Sequence, residues 1–532
     1  GGGGGDGGLI YLLFMLVVHY PVIGIPVLIV VVVVGIIGSK KSGSYAVGEY
    51  QSSVISKGRQ MQASHQKESA IAGLQAKDAE FNEGRFLSNV KKAHGQLQDA
   101  WTRQSVDPVQ HFISDSVYER CKIQFGEQIA VGYKEHVDNL EIYSCDVAHV
   151  EATKLYDIIT VRISASMDVY RTDLKTGDKI SGHSVPDGFT EFWSFIRKLD
   201  VKSSEHSLYD GNCPNCGNSL TLNQNTSCMA CGAMVKSGQY DWILSEITQA
   251  CEWDIKEDEA IPGQAEILKS DPGFSIQHLE DRVSVMFWRI IHSYREGKTN
   301  AINKMATETF CDSLKPKFAT DDKGERTLPW NPAVGSVDTI GIIMDEDGYD
   351  KAIVQIRWSR ASCTYTKDKK YKPSTESSVL NDFYILLRKH GASSSAENSL
   401  SSAHCPGCGA PPGYSSSDSC DYCGDVLNDG SADWVLDHIG HSYDQTVLDL
   451  MNKLKPVEQV SAAAPKRPPP LMSGAGAAAS IRVSPRRLDL AAWMVKVMLA
   501  DGIIDDKEMA IINDYAEASL IPKPKMQQII DS

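Results

Sequence analysis

The chain has 532 residues, a net charge of −15 and a pI near 5.4. That length accommodates about three or four domains. The acidic balance disfavours nucleic acid as a general partner, because its phosphates are attracted by basic surfaces.

Residues 1–8 are a Gly-rich stub, flexible by composition. Residues 9–38 read as a transmembrane segment. From Leu9 to Ile37 no residue is charged and only Tyr11, His19 and Tyr20 carry polar side-chain atoms. This run exceeds the ~20 residues needed to cross a bilayer core. Pro21 and Pro26 divide it, so it is either one tilted helix or a kinked portion, Leu9 to Tyr20, followed by a span from Val22 to Ile37. Only Asp6 precedes it, whereas Lys40, Lys41, Lys57, Arg59 and Lys67 follow. The excess of positive charge after the span places the N-terminus outside and the bulk of the chain in the cytoplasm, at the inner membrane. Residues 39–79, rich in Ser, Gln, Lys and Ala with a weak helical pattern, read as a juxtamembrane spacer.

Two similar α+β domains are expected next, over 80–252 and 272–445, joined by a linker at 253–271. Phe86, Val90, Leu97 and Trp101 fall at helical spacing, as do Leu279, Val283, Met286, Ile290 and Tyr294. Shorter helices are predicted over Pro108–Arg120 and Thr299–Leu314. Strand-like runs follow at Glu141–Val150 and Tyr156–Ile163, answered by Val337–Met344 and Lys351–Trp358. Each domain then has an aromatic strand, Glu191–Lys198 against Asp382–Lys389, and a closing Trp-containing segment, Tyr240–Ile247 against Ala432–Ile439.

Between the last two strands of each domain stands a four-cysteine cluster, within 211–233 and 403–425. Cys213, Cys216, Cys228 and Cys231 read C-x₂-C-x₁₁-C-x₂-C, and Cys405, Cys408, Cys420 and Cys423 repeat that spacing. Cys405 follows Cys213 by 192 residues, and Trp434 follows Trp242 by the same interval, which marks a tandem duplication. Four thiolates fill the tetrahedral shell that Zn²⁺ prefers and leave no position open for water or substrate. Two structural Zn²⁺ are therefore expected. The competing readings are disulfides, which need an oxidising compartment, and an iron–sulfur cluster. A glycine after every pair lets backbone N–H groups approach the sulfurs. His404, beside Cys405, reads as a solvated neighbour rather than an added ligand. Cys121, Cys145, Cys251, Cys311 and Cys363 show no pairing pattern and read as buried thiols.

The stretch from Phe86 to Trp101, the segment Asp107–Arg120, the Phe-Trp-x-Phe-x-Arg strand at 192–197 and Trp242 together resemble the C-terminal domain of mitochondrial inner-membrane translocase subunit 44. The second domain is similar more loosely, with Tyr384 where Trp193 stands and Leu387 where Ile196 stands. The resemblance implies two nuclear-transport-factor-2-like cones, helices packed into curved antiparallel sheets, each carrying an inserted zinc ribbon. It also implies tethering, lipid contact or protein assembly at the membrane.

Residues 446–487 read as a Pro/Ala-rich linker. Residues 488–532 then resume a helical pattern, an all-α hairpin whose Asp-Gly-Ile-Ile-Asp turn from Asp501 to Asp505 resembles part of a tellurite-resistance TerB-like domain. Calcium is disfavoured there, because Val497 and Leu499 fall where a calcium loop needs oxygen ligands.

His94, His111, Asp115, His136, Asp382 and His390 stand in no recognisable catalytic motif, and no catalytic residue or organic cofactor is expected. The reading is a membrane-anchored scaffold or adaptor that presents two zinc-stiffened, pocketed domains to lipid or unidentified protein partners. The alternatives are a membrane-tethered zinc-ribbon protein that binds nucleic acid and a membrane-bound enzyme using one cone pocket.

Overall fold

A computed structural model describes residues 57–454, apart from 183–186, 224–225, 251–252, 254–259, 395–400 and 412, together with Met509. The expected transmembrane segment, stub and TerB-like hairpin lie outside the described residues. Among the described residues, no helix is long and apolar enough to cross a membrane. The chain divides into two compact units, 1–458 and 459–532, and the architecture below belongs to the first.

The first half opens with helices α1 (Lys57–Lys77), α2 (Glu83–Arg103) and α3 (Asp115–Val131). Strands β1 (Tyr133–Ala152), β2 (Tyr156–Asp173), β3 (Lys179–Gly182), β4 (Asp187–Lys198) and β5 (Ile243–Gln249) follow. They form an antiparallel sheet in the order β1-β2-β4-β5, with β3 paired to the far end of β2. The second half has the same layout. Helices α4 (Gln264–Ser270), α5 (Ile276–Glu296) and α6 (Glu308–Leu314) precede β6 (Arg326–Glu346), β7 (Tyr349–Tyr365), β8 (Tyr371–Lys389) and β9 (Val435–Gly440). These strands pair in the order β6-β7-β8-β9, and α7 (Gln445–Lys453) closes the half.

Sequence explains most of these elements. In α2, Phe86, Val90, Ala93, Leu97 and Ala100 make one buried face, and the Asn82 side chain caps its start by accepting from the N–H of Arg85 at 2.8 Å. Phe86 meets Phe195 and Trp242 edge-on, at 5.6 and 5.4 Å between ring centres. The expected strands are present, and all but the two closing ones are longer than predicted. Register shifts break β1 at three places and β6 at four. Such bulges sharpen the twist and curl a sheet around its helices. Pro329 is tolerated inside β6 because that strand pairs on one side only.

Four expectations need correction. The helix predicted over Pro108–Arg120 begins at Asp115 and runs on to Val131. The chain before it is held by β5: Leu244 N donates to Phe112 O at 2.8 Å and Ser114 N to Leu244 O at 2.9 Å. The same thing happens over Thr299–Leu314, where Leu436 N bonds Met305 O and Thr307 N bonds Leu436 O, delaying the helix to Glu308. A tertiary backbone bridge overrides local helical preference in both halves. The spacer expected over 39–79 contains α1, whose Ile71 and Leu74 join the first core. Helix α4 stands in the expected linker 253–271, and α7 covers the outer face of the second sheet, packing Val447 and Leu450 on Ile353, Phe383 and Ile385.

Candidate metal centres and the seam between the halves

The chain between β4 and β5 folds into a first knuckle and that between β8 and β9 into a second. In each, the sulfurs of the four cysteines lie within 4.8 Å of one another. Cys213 Sγ stands 3.7 Å from Cys231 Sγ, and Cys216 Sγ 4.0 Å from Cys228 Sγ. In the second knuckle the separations are 3.6 Å for Cys405–Cys423 and 3.7 Å for Cys408–Cys420. A tetrahedron with Zn–S bonds of about 2.3 Å spaces its sulfurs about 3.8 Å apart. A disulfide requires about 2.05 Å. The donor set and its spacing fit a four-sulfur zinc site.

The local environment treats the ligand thiols unequally: burial pushes Cys213 and Cys405 up and Cys423 is raised as well, whereas Cys231 and Cys420 are held down. Asn215 Nδ2 donates to Cys231 Sγ at 3.4 Å, and that bond holds the thiol down at about 6. Burial pushes Cys420 up, but the backbone N–H groups of Cys423 and Tyr422 outweigh it and bring the thiol to about 7. Gly217, Gly232, Gly409 and Gly424 all sit at positive φ, between 68° and 80°, directly after a cysteine pair. Cys121, Cys145, Cys311 and Cys363 are buried free thiols as expected, and Cys251 lies outside the described residues.

Each knuckle is rooted on the same buried polar group. Arg197 Nη1 reaches Asp78 Oδ2 at 2.9 Å and its guanidinium lies 4.5 Å from the Trp242 ring. Ser203 donates to the same carboxylate from Oγ at 2.7 Å and from N at 2.9 Å. In the second half Arg388 reaches Asp271 at 2.7 Å, stands 4.8 Å from Trp434, and Ser394 Oγ donates to Asp271 at 2.6 Å. The Arg of the aromatic strand thus anchors the start of the knuckle to the chain leading into the domain.

The residues weighed for catalysis are not gathered. His94 is buried between Phe189 and Trp193, His136 bonds Thr172 at 2.9 Å, and His390 bonds Asp350 at 2.7 Å. Asp382 accepts from Trp358 Nε1 at 2.8 Å. His111 Nε2 lies 3.0 Å from Leu208 O, and burial pushes its imidazole down to about 4.

Asp115 belongs to a seam that sequence reasoning missed. It is 2 % exposed. Its Oδ1 accepts from Lys236 Nζ at 2.6 Å, and its Oδ2 accepts from Ala403 N at 2.9 Å and faces His404 Nδ1 at 2.8 Å. Burial pushes the Asp115 carboxyl up, but His404 and Lys236 beside it hold it well below the usual carboxylate range. His404 is therefore no solvated neighbour; it bridges the halves. Further along α3, Glu119 pairs with Arg289 of α5 at 2.9 Å and accepts from Tyr414 Oη at 2.6 Å, while Glu127 pairs with Arg295 at 2.5 Å. Asp115, Glu119, Ile123 and Glu127 fall every fourth residue, one stripe of α3 turned onto α5. That spacing, beside Arg282, Arg289 and Arg295 on the other helix, was the available signal. Next to this seam, a cavity of about 480 Å³ lies between the outer face of the first sheet, with Thr160, Ser194 and Thr248, and Phe274, Ile276 and Trp288 of the second half. It opens between the halves, outside either cone.

Comparison with known proteins gives the class of the first half. The Tim44-like domain matches residues 67–209, from α1 through β4 to a point four residues before Cys213. Residues 67–209 are thus a Tim44-like domain, and the cysteine clusters and the second half lie beyond the match. Among solved structures, the chain is similar to an Ntf2 like protein involved in plasmid conjugation, at 9 % identity over 52 % of this chain and 86 % of that one, with a TM-score of 0.12. No curated protein matches the sequence.

Proposed function

We propose that this protein is a membrane-anchored scaffold or adaptor, presenting two duplicated, zinc-stiffened domains to a protein or lipid partner at the cytoplasmic face of the inner membrane. The carrying observation is the pair of knuckle tips. Both bear closed four-sulfur centres, which suit support rather than chemistry. Beside those centres stand large exposed side chains, Met229 at 67 % and Tyr422 at 63 %. Apolar groups held on rigid tips are suited to enter a partner's pocket.

The matching strand orders and the repeated Arg–Asp–Ser–Trp group support descent from a duplication. In this reading the apolar run at 9–38 is the anchor, and the segment 488–532, after a Pro/Ala-rich linker, serves to recruit a second partner. Nucleic acid does not suit a chain with a net charge of −15. A photocrosslinking residue placed at position 229 or 422 in native membranes should capture a protein or lipid; no adduct above background at either tip defeats the reading. Alkaline extraction tests the anchor, since the chain should remain in the membrane pellet.

A further inference from the structure

The second knuckle holds more than its own hairpin. Its buried interior is small: Cys405, Ala410 and Cys420, with Leu427 packed against them. A segment of that size cannot stabilise itself by apolar burial, so metal binding supplies its folding energy. The first knuckle differs. Cys213, Cys228 and Val235 belong to the main core of the first half, with Leu208 and Tyr209.

The groups that cross the seam flank the ligands of the second knuckle. Ala403 and His404, immediately before Cys405, bind Asp115 of the first half. Ser402 binds Asp281, whose other oxygen accepts from Ser116 N at 3.3 Å. Tyr414, in the loop between Cys408 and Cys420, binds Glu119. Every one of these acceptors is buried. If the knuckle loosens, Asp115 and Glu119 each lose a partner at a buried position, where an incompletely paired charge is costly.

We propose that the second zinc site is a metal-dependent clasp that locks the two α+β halves together, with Asp115 as the residue on which it closes. Loading the site fixes Ala403, His404 and Tyr414 against α3 and Ser402 against α5; losing the metal frees them and lets α3 part from α5 while each sheet stays folded. The inference rests on the zinc assignment and goes beyond the scaffold reading, because it makes the relation between the two domains depend on metal.

The test uses the full chain with Cys408→Ser and Cys423→Ser together, zinc content by elemental analysis, and hydrogen exchange across the seam. The parent should hold two zinc ions and the variant one. Peptides from α3 and α5 should exchange at least about tenfold faster in the variant, as expected for partner loss in a buried ion-pair network, with β2 and β7 unchanged. Unchanged exchange in α3 and α5 after loss of one zinc overturns the clasp. So does loss of protection in β2 and β7 as well, since the metal would then support the folds and not their junction. An Asp115→Ala chain provides the metal-independent arm: it should keep both zinc ions and still loosen the seam, and an unmoved seam overturns the proposal. Fewer than two zinc ions in the parent defeats the metal assignment, a failure distinct from two ions with a seam that does not respond.

Discussion

Arg197 shows how much one buried charge can hold. Its side chain is 2 % exposed and so is that of Asp78. Removing one partner of such a pair leaves a charge in the interior, which costs about 3–5 kcal/mol, whereas replacing both with apolar groups is often close to neutral. Arg197→Met should therefore lower the urea midpoint strongly, and Asp78→Leu combined with it should restore most of the loss. A single variant as stable as the parent would show that the pair contributes little. His111 sets a pH dependence. Its folded value, about 4, lies below the ordinary 6.5, so the unfolded chain binds a proton first as pH falls. Stability is full above pH 6.5 and is lost towards pH 4, by at most about 3 kcal/mol. His111→Asn, which keeps a donor for Leu208 O, should flatten denaturation curves over that window.

At the level of elements, the backbone bridges to β5 and β9 explain why two predicted helices start late. Periodicity alone marked Pro108–Arg120 and Thr299–Leu314 as helical, and the residues are indeed compatible with helix. What stops them is a pair of hydrogen bonds from strands more than a hundred residues away in sequence. The amphipathic helices α2 and α5, the strands other than β3 and the position of each knuckle between the last two strands were readable, because their signals are local. Gly263 marks another tertiary demand. It sits at φ 80°, and a Cβ there would overlap the carbonyl of Ile342 on β6. Pro262 O accepts from Ile342 N at 2.8 Å, fixing that approach. Gly263→Ala should cost more than the ~1 kcal/mol typical of a backbone-propensity change, measured by chemical denaturation; a smaller loss would mean that β6 yields there.

For the molecule, α3 is the element that joins the two halves. It packs on its own sheet and on α5, and Ile123 contributes to the core of the second half. Glu119→Ala strips Arg289 of its carboxylate inside that contact. In the parent chain, protection from exchange in β2 and β7 should be lost at the same urea concentration, as in a single cooperative unit. In Glu119→Ala the two midpoints should separate. Separate midpoints already in the parent would show that the halves melt independently.

The eight cysteines, the repeated interval of 192 residues and the order of helices and strands were determined by sequence, since ligand spacing and side-chain periodicity act over a few residues. The use of the acidic stripe on α3 was decided only by tertiary structure. Nothing in the spacing of Asp115, Glu119 and Glu127 says what they face until α5 and the second knuckle are set against them. Three carboxylates on one stripe of a helix are equally compatible with water and with an arginine 170 positions away, and only the packing of the halves chooses between them.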